Sequence, residues 1–128
     1  MAYSILIVDD SETIRGVLER TLAMTKLPID TIIQATNGRD AIDKLKEAWV
    51  DIVFTDINMP VMDGIAFIDE ISAHPELKNI PVVIVSTEGS KTRIEALKKK
   101  GVKGYLRKPF TPENIRDIIV ETLGAWEK

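Results

Sequence analysis

Side chains that can do chemistry follow the apolar segments of this 128-residue sequence at four places. They are Asp9 with Asp10, Asp56, Ser86 with Thr87, and Lys108. Three carboxylates brought within a few ångströms repel one another, and partial burial raises their pKa values. A divalent cation removes that repulsion, and Mg²⁺ suits a site of oxygen ligands that includes one or two carboxylates. With an ammonium nearby to contact a phosphoryl oxygen, these groups predict phosphoryl transfer in which Asp56 is the nucleophile.

The hydrophobic pattern predicts the elements that would position these groups. Apolar segments rich in β-branched residues predict strands at 5–8, 29–35, 52–54 and 82–85, and a weaker fifth strand is predicted at 104–107. Between them, helical periodicity places apolar residues at 14–22, 41–49, 65–71, 94–97 and 115–123, so that the second helix includes Trp49. The strict alternation of strand and helix predicts an α/β fold, a doubly wound parallel sheet with helices on both faces.

The position of each group relative to its strand decides whether the groups can meet. In open α/β sheets ligands bind outside the carboxyl ends of the strands. All four groups follow predicted strands, so we expect them at one edge of the sheet. Taken singly, each has an ordinary structural explanation: Asp9-Asp10 and Ser86-Thr87 as helix caps, Asp56 as a turn residue, and Lys108 as a solvated loop residue. Those explanations do not predict that all four converge.

Composition narrows the class of protein. The absence of cysteine excludes disulfides, thiolate metal sites and a cysteine nucleophile. The sequence has no apolar run of the roughly 18 residues that would span a bilayer and no signal peptide, which predicts a cytoplasmic protein without a membrane partner. The length predicts one domain over 1–128 and no output domain.

Charge is unevenly distributed along the chain. The formal net charge of −3 argues against binding to nucleic acid. The segment 91–108 nevertheless has eight basic residues and one acidic residue, a net charge of +7, so the rest of the chain carries −10. We interpret this basic segment as a surface for an acidic peptide or helix.

Four motifs give the chain a resemblance to the receiver domains of response regulators, and in particular to stand-alone domains of the CheY type. They are Ile5-Leu6-Ile7-Val8-Asp9-Asp10, Asp56-Ile57-Asn58-Met59-Pro60 with Met62-Asp63-Gly64, Ser86-Thr87-Glu88, and Lys108-Pro109-Phe110. The resemblance covers the whole chain. It implies the flavodoxin-like (βα)5 fold with strand order 2-1-3-4-5.

The resemblance also implies a role for each matching residue. Asp56 would accept a phosphoryl group, and Lys108 would contact it. Mg²⁺, or Mn²⁺ in its place, would be held by Asp10, Asp56 and the backbone carbonyl of Asn58, with Asp9 supporting the metal site. Ser86 and Tyr105 would form the switch, while Asn58 and Glu88 would tune hydrolysis. The Lys108-Pro109 bond would be cis.

The implied partners are proteins. A histidine kinase of the CheA type would donate the phosphoryl group, and the modified domain would bind a target, such as a flagellar motor switch component, through the 91–108 basic face and the last helix. The domain would be a monomer that catalyses only its own phosphorylation and dephosphorylation, not an enzyme with other substrates.

Three alternatives stay open at this point. A phosphorelay intermediate would pass the phosphoryl group on to a histidine phosphotransfer protein. A flavodoxin-like cofactor binder would need a hydroxyl- and glycine-rich loop where this chain has Asp9-Asp10. A phosphohydrolase with an aspartyl nucleophile would have a second Asp where this chain has Asn58.

Overall fold

The computed structural model describes residues 2–87 and 91–124, without the side chain of Lys91. The strands are β1 (Tyr3–Val8), β2 (Ile29–Ala35), β3 (Ile52–Thr55), β4 (Val82–Ser86) and β5 (Gly104–Arg107). The helices are α1 (Glu12–Met24), α2 (Gly38–Glu47), α3 (Gly64–Ala73), α4 (Lys91–Lys99) and α5 (Pro112–Leu123). None of the helices in the described ranges is long and apolar enough to cross a membrane.

The five strands form one parallel sheet in the order β2-β1-β3-β4-β5, which confirms the predicted fold and strand order. Register places Val8 of β1 opposite Ala35 of β2 and Thr55 of β3. Strands β1 and β3 therefore end at the same height, and the residues that follow them, Asp9 and Asp56, emerge side by side.

The central strands β1, β3 and β4 are mostly apolar and buried because both faces of the sheet are covered. On one face, Leu6 and Val53 pack with residues of α2, α3 and α4. On the other, Ile5 and Phe54 pack with residues of α1 and α5. Successive residues of one strand point to opposite faces, so each strand contributes to both cores.

Side-chain caps fix the start of four helices. In each, the side-chain oxygen of the cap accepts a hydrogen bond from a backbone N–H of the first turn. The caps are Ser11, Asn37, Asp63 and Thr111. Ser11 directly follows Asp10, and Thr111 lies three residues after Lys108, so these two caps also fix loops that carry the site.

The second helix is shorter than predicted. It ends at Glu47, so Trp49 lies beyond it and is 66% exposed. Its indole Nε1 donates to Oδ1 of Asp51 at 3.2 Å. The prediction that Trp49 belongs to the apolar face of the helix is wrong, because the chain leaves the helix at Ala48 and turns toward β3.

The structure divides the basic segment 91–108 between the two ends of the sheet. Helix α4 runs antiparallel to the strands, and β5 returns parallel to them. The exposed residues Lys98 to Lys100 and Lys103 therefore lie at the amino end of the strands, where Lys103 N–H donates to Val82 O. Arg107 and Lys108 lie at the carboxyl end, on the same edge as Asp56.

Candidate functional site

Three carboxylates converge where β1 and β3 end. Asp9, Asp10 and Asp56 each offer an oxygen, and these oxygens all lie within 4.8 Å of one another. Asp9 is buried, Asp56 is half-buried and Asp10 is exposed. The cluster is therefore open to solvent on the Asp10 side, and its all-oxygen donor set is the kind that Mg²⁺ and Mn²⁺ prefer.

Asp9 is the deepest of the three. Burial raises the pKa of its carboxyl above the ordinary value, and the negative charges of Asp56 and Asp10 add to the effect. The Ser11 N–H, which donates to Oδ1 at 2.9 Å, and the Lys108 ammonium act in the opposite direction. The balance is against the ionised form, so a cation between these carboxylates would be stabilising.

The carboxylate of Asp56 is oriented by the backbone N–H of the next residue. Oδ1 accepts a hydrogen bond from the N–H of Ile57 at 2.7 Å, while Oδ2 lies 3.9 Å from Nζ of Lys108. The hydroxyl of Thr55 donates to the carbonyl of Asp56 at 2.9 Å and fixes the peptide behind it. Oδ2 is thus directed toward the ammonium, where an incoming phosphoryl group would be stabilised.

A glycine is required behind Asp56. A β-carbon on Gly64 would overlap the carbonyl oxygen of Asp56 and would come within 2.9 Å of Ile57 Cα. The N–H of Gly64 donates to Ile57 O at 2.7 Å. The start of α3 therefore packs directly on the backbone of the candidate nucleophile, and any side chain at position 64 would displace it.

Lys108 reaches the cluster from the end of β5. Its N–H donates to Ser86 O at 3.0 Å, which continues the pairing of β4 with β5, and its Nζ lies 3.6 Å from Oδ2 of Asp9. The Lys108-Pro109 bond is cis, as the resemblance implies. One ammonium thus faces two of the three carboxylates.

The two predicted switch residues are linked through the same carbonyl. Ser86 is buried at the end of β4. The hydroxyl of Tyr105 donates to Ser86 O at 3.4 Å, a long hydrogen bond, and its half-buried ring packs against the core formed with α2, α3 and α4. Ser86 and Tyr105 are therefore close enough for a movement of one residue to displace the other.

Two further site residues were predicted, Asn58 and Glu88. Asn58 lies two residues beyond Asp56 in the loop before α3, with an exposed side chain. Its roles as a carbonyl ligand and in tuning hydrolysis stay predictions. Glu88, the other residue predicted to tune hydrolysis, lies outside the described residues.

Two features of the site are not among those predicted from the sequence. Nη1 of Arg15, in the first turns of α1, donates to the carbonyl of Asp9 at 2.7 Å. Helical side chains lean toward the start of the helix, so a long basic residue one turn beyond the Asp pair was an available signal. The second feature is a cavity of about 330 Å³ beside Lys108, whose apolar lining includes Ile14, Val17 and Phe110. The cavity lies between α1 and the loop after β5, and no local sequence pattern indicates that these two segments meet.

Comparison with known proteins gives consistent results. The sequence model of the response regulator receiver domain family matches residues 5–120. A chemotaxis protein CheY homolog of Campylobacter jejuni is 36% identical over 122 residues, 94% of this chain and 92% of that protein. The solved structure of CheY4 of Vibrio cholerae has 32% identity and a TM-score of 0.80, covering 96% of this chain and 97% of that chain. The Mn²⁺-bound form of response regulator Rcp1 has 26% identity and a TM-score of 0.79, covering 94% of each chain.

Proposed function

The chain belongs to the response regulator receiver domain family of two-component signalling, with relatives of the CheY type, and from that premise we propose that it is a phosphorylation switch. Asp56 accepts the phosphoryl group, a phosphohistidine of a histidine kinase donates it, and a divalent cation is bound beside it. The modified domain then binds a protein target in the cytoplasm. We infer that it acts as a monomer and that residues 1–128 form one domain.

One observation carries the proposal: three carboxylate oxygens lie within 4.8 Å of one another, with the ammonium of Lys108 against two of the carboxylates. Such an arrangement leaves excess negative charge, and the burial of Asp9, which raises the pKa of its carboxyl, adds to the cost of keeping all three groups ionised. A site built only for stability would have matched the charges or replaced them with apolar groups. Excess carboxylate that faces solvent supports a cation site.

The residues fit Mg²⁺ or Mn²⁺. Asp10 and Asp56 would hold the ion with the backbone carbonyl of Asn58, and Asp9 would support it from the buried side of the cluster. The Mn²⁺-bound form of the similar regulator Rcp1 supports the same class of ion here. When bound, the ion would supply positive charge that offsets the carboxylates and the oxygens of the transferring phosphoryl group.

In the proposed reaction Asp56 Oδ2 attacks phosphorus. An O–P bond forms, the P–N bond to the donor histidine breaks, and the electron pair of that bond returns to the imidazole nitrogen. Oδ2 suits this role because Oδ1 accepts the N–H of Ile57. Lys108 lies where it can contact the phosphoryl oxygens, and a point charge there stabilises the charge that develops.

A protein donor fits the surroundings of the site. The cavity beside Lys108 is lined by Ile14, Val17 and Phe110, with Val17 exposed at the surface. An apolar depression next to the nucleophile suits docking of an apolar helix face. This supports a histidine kinase, of the CheA type that the resemblance implies, as the physiological donor.

The output is proposed to follow from Ser86 and Tyr105. A phosphoryl group on Asp56 would attract the Ser86 hydroxyl. Because the Tyr105 hydroxyl donates to the Ser86 carbonyl, a shift of Ser86 would let the Tyr105 ring turn further inward. Driving such a switch nearly to completion takes roughly 5 kcal/mol of differential interaction. Tyr105 lies on β5 between α4 and α5, which supports that surface as the binding face for a chemotaxis target.

The test uses a small phosphodonor. Acetyl phosphate with Mg²⁺ should add one phosphoryl group to the intact protein, detected by mass spectrometry. Chelating the metal should abolish the addition, and Asp56→Asn should block it while Asp69→Asn, a change on the exposed face of α3, leaves it intact. Labelling that persists in Asp56→Asn would contradict the assignment of the nucleophile.

A further inference from the structure

Arg15 is held between helix α1 and the edge strand of the sheet. Its Nη1 donates to the carbonyl of Asp9 at 2.7 Å, and its Nε donates to Oε1 of Gln34 on β2 at 2.9 Å. Gln34 is fixed in turn, because its Nε2 donates to Oε1 of Glu19 at 2.5 Å. The guanidinium therefore has two anchored contacts in its plane, a geometry that lysine cannot reproduce.

These contacts determine the backbone of Asp10. The carbonyl of Asp9 belongs to the peptide before Asp10 and accepts from Arg15. The N–H of Ser11 belongs to the peptide after Asp10 and donates to the Asp9 carboxylate at 2.9 Å. Because each peptide is planar, fixing both of them fixes the two backbone dihedrals of Asp10 and the direction of its Cα–Cβ bond.

Asp10 depends on this indirect restraint. Its carboxylate is exposed, and within residues 2–87 and 91–124 no hydrogen bond or ion pair to it is found. Asp9 and Asp56, in contrast, are each held by a backbone N–H and face Lys108. The most accessible oxygen donor of the cluster is therefore placed through its main chain alone.

We propose that Arg15 is a positioning residue that holds Asp10 in the orientation required to bind a divalent cation. This inference rests on the proposed function, since it assigns a role toward the same metal site. Partners that orient metal ligands from outside the ligand set typically change metal affinity by 10- to 100-fold when they are removed.

The positive charge of Arg15 makes it possible to distinguish a positioning role from a purely electrostatic one. A positive group beside the carboxylates repels a cation, so removing it would tighten Mg²⁺ binding if charge were its only contribution. Loss of positioning would weaken binding. The two accounts thus predict changes of opposite direction for the same substitution.

The experiment measures the Mg²⁺ dissociation constant by titration calorimetry on the full chain. Arg15→Met should raise it about tenfold. Arg15→Lys, which keeps the charge, and Gln34→Leu, which keeps Arg15 but removes its support, should each raise it by about two- to fivefold. Arg20→Met is the matched control, because it removes the same charge from the same helix two turns from the Asp pair, and it should leave the constant unchanged or slightly lower.

The outcomes separate this inference from the proposed function. Unmodified protein that does not bind Mg²⁺ would end the proposed function. Unmodified protein that binds, with an unchanged or lower constant in all three variants, would overturn the role of Arg15 alone. If Arg15→Met does not fold by circular dichroism, Arg15→Lys and Gln34→Leu decide, and equal affinity in both overturns the inference.

Discussion

Lys108 and Asp9 form an ion pair at the carboxyl edge of the sheet, with 3.6 Å between Nζ and Oδ2. The Asp9 side chain is only 4% exposed, and that of Lys108 is 18% exposed. The ammonium favours ionised Asp9, yet burial outweighs it and the pKa of Asp9 stays raised. The ammonium therefore offsets only part of the cost of burying the Asp9 charge and leaves negative charge available to a cation, so substituting Lys108 and substituting Asp9 should have opposite effects on stability.

Removing Lys108 should destabilise the metal-free protein and strengthen metal binding. Lys108→Met leaves Asp9 buried without a counter-ion, at a cost of about 1–3 kcal/mol in the free energy of unfolding. The same change removes a cation that competes with Mg²⁺, so the Mg²⁺ dissociation constant should fall. Urea denaturation and calorimetry measure the two effects. Lys103→Met, at the opposite end of the sheet, should change neither, and a variant of Lys108 with unaltered stability would contradict the ion pair.

Asp9→Asn should stabilise the metal-free protein. A native pKa raised above the ordinary 3.8 means that the folded state binds a proton more tightly than the unfolded state. The contribution of Asp9 to stability is therefore lost as the pH rises from the ordinary pKa through the raised one. The variant lacks this loss, and above that window its free energy of unfolding should be higher by about 0.5–2 kcal/mol.

The check on Asp9→Asn is denaturant unfolding at several pH values with and without Mg²⁺. Asp43→Asn, an exposed position on α2, should stay within about 0.5 kcal/mol of the unmodified protein. Saturating Mg²⁺ should stabilise the unmodified protein more than the variant. An Asp9→Asn protein that is less stable at every pH would show that burial does not dominate at this carboxyl.

Much of the fold follows from local patterns. Strand β2 has the bounds that its β-branched residues predict, strand β5 has the predicted bounds although it contains no β-branched residue, and the capping signals at Thr111 and Gly124 mark the ends of α5. Trp49 is the exception, since helical periodicity cannot show where a chain turns away. The strand order came from resemblance, because alternation alone is compatible with several doubly wound orders.

The candidate site divides in the same way. Convergence of the strand-ending residues follows from the rule for parallel sheets, so Asp9, Asp56 and Lys108 could be brought together from the sequence. Two other contacts depend on how the loops and the edge strand pack together. They are the contact of Gly64 with the Asp56 carbonyl and that of Arg15 with Gln34. No short-range pattern encodes those distances.

The loop after Asp56 contains a strained residue, Val61. Its φ is +68°, it is 84% exposed, and the N–H of Met62 donates to Pro60 O at 2.7 Å across it. A β-branched side chain in the left-handed region costs about 1–2 kcal/mol, which asparagine largely avoids. Val61→Asn should therefore raise the melting temperature by a few degrees. Lys26→Asn, at φ +63° but without β-branching, should give a smaller gain, and equal gains would locate the strain elsewhere.

Gly64→Ala and Gly16→Ala should act in opposite directions. The added carbon at position 64 meets the carbonyl of Asp56, a backbone atom that cannot move without displacing the proposed nucleophile. Such overpacking should cost roughly 1–3 kcal/mol and slow phosphorylation by acetyl phosphate. At position 16, inside α1, the nearest atom is the mobile Nη1 of Arg20 at 3.3 Å, so alanine should stabilise by about 0.5–1 kcal/mol because it favours the helix. Unfolding curves and phosphorylation rates for both proteins provide the measurement. A Gly64→Ala protein with unchanged stability and rate would show that α3 can move away from Asp56, and that the close packing behind the carboxylate does not hold it in place.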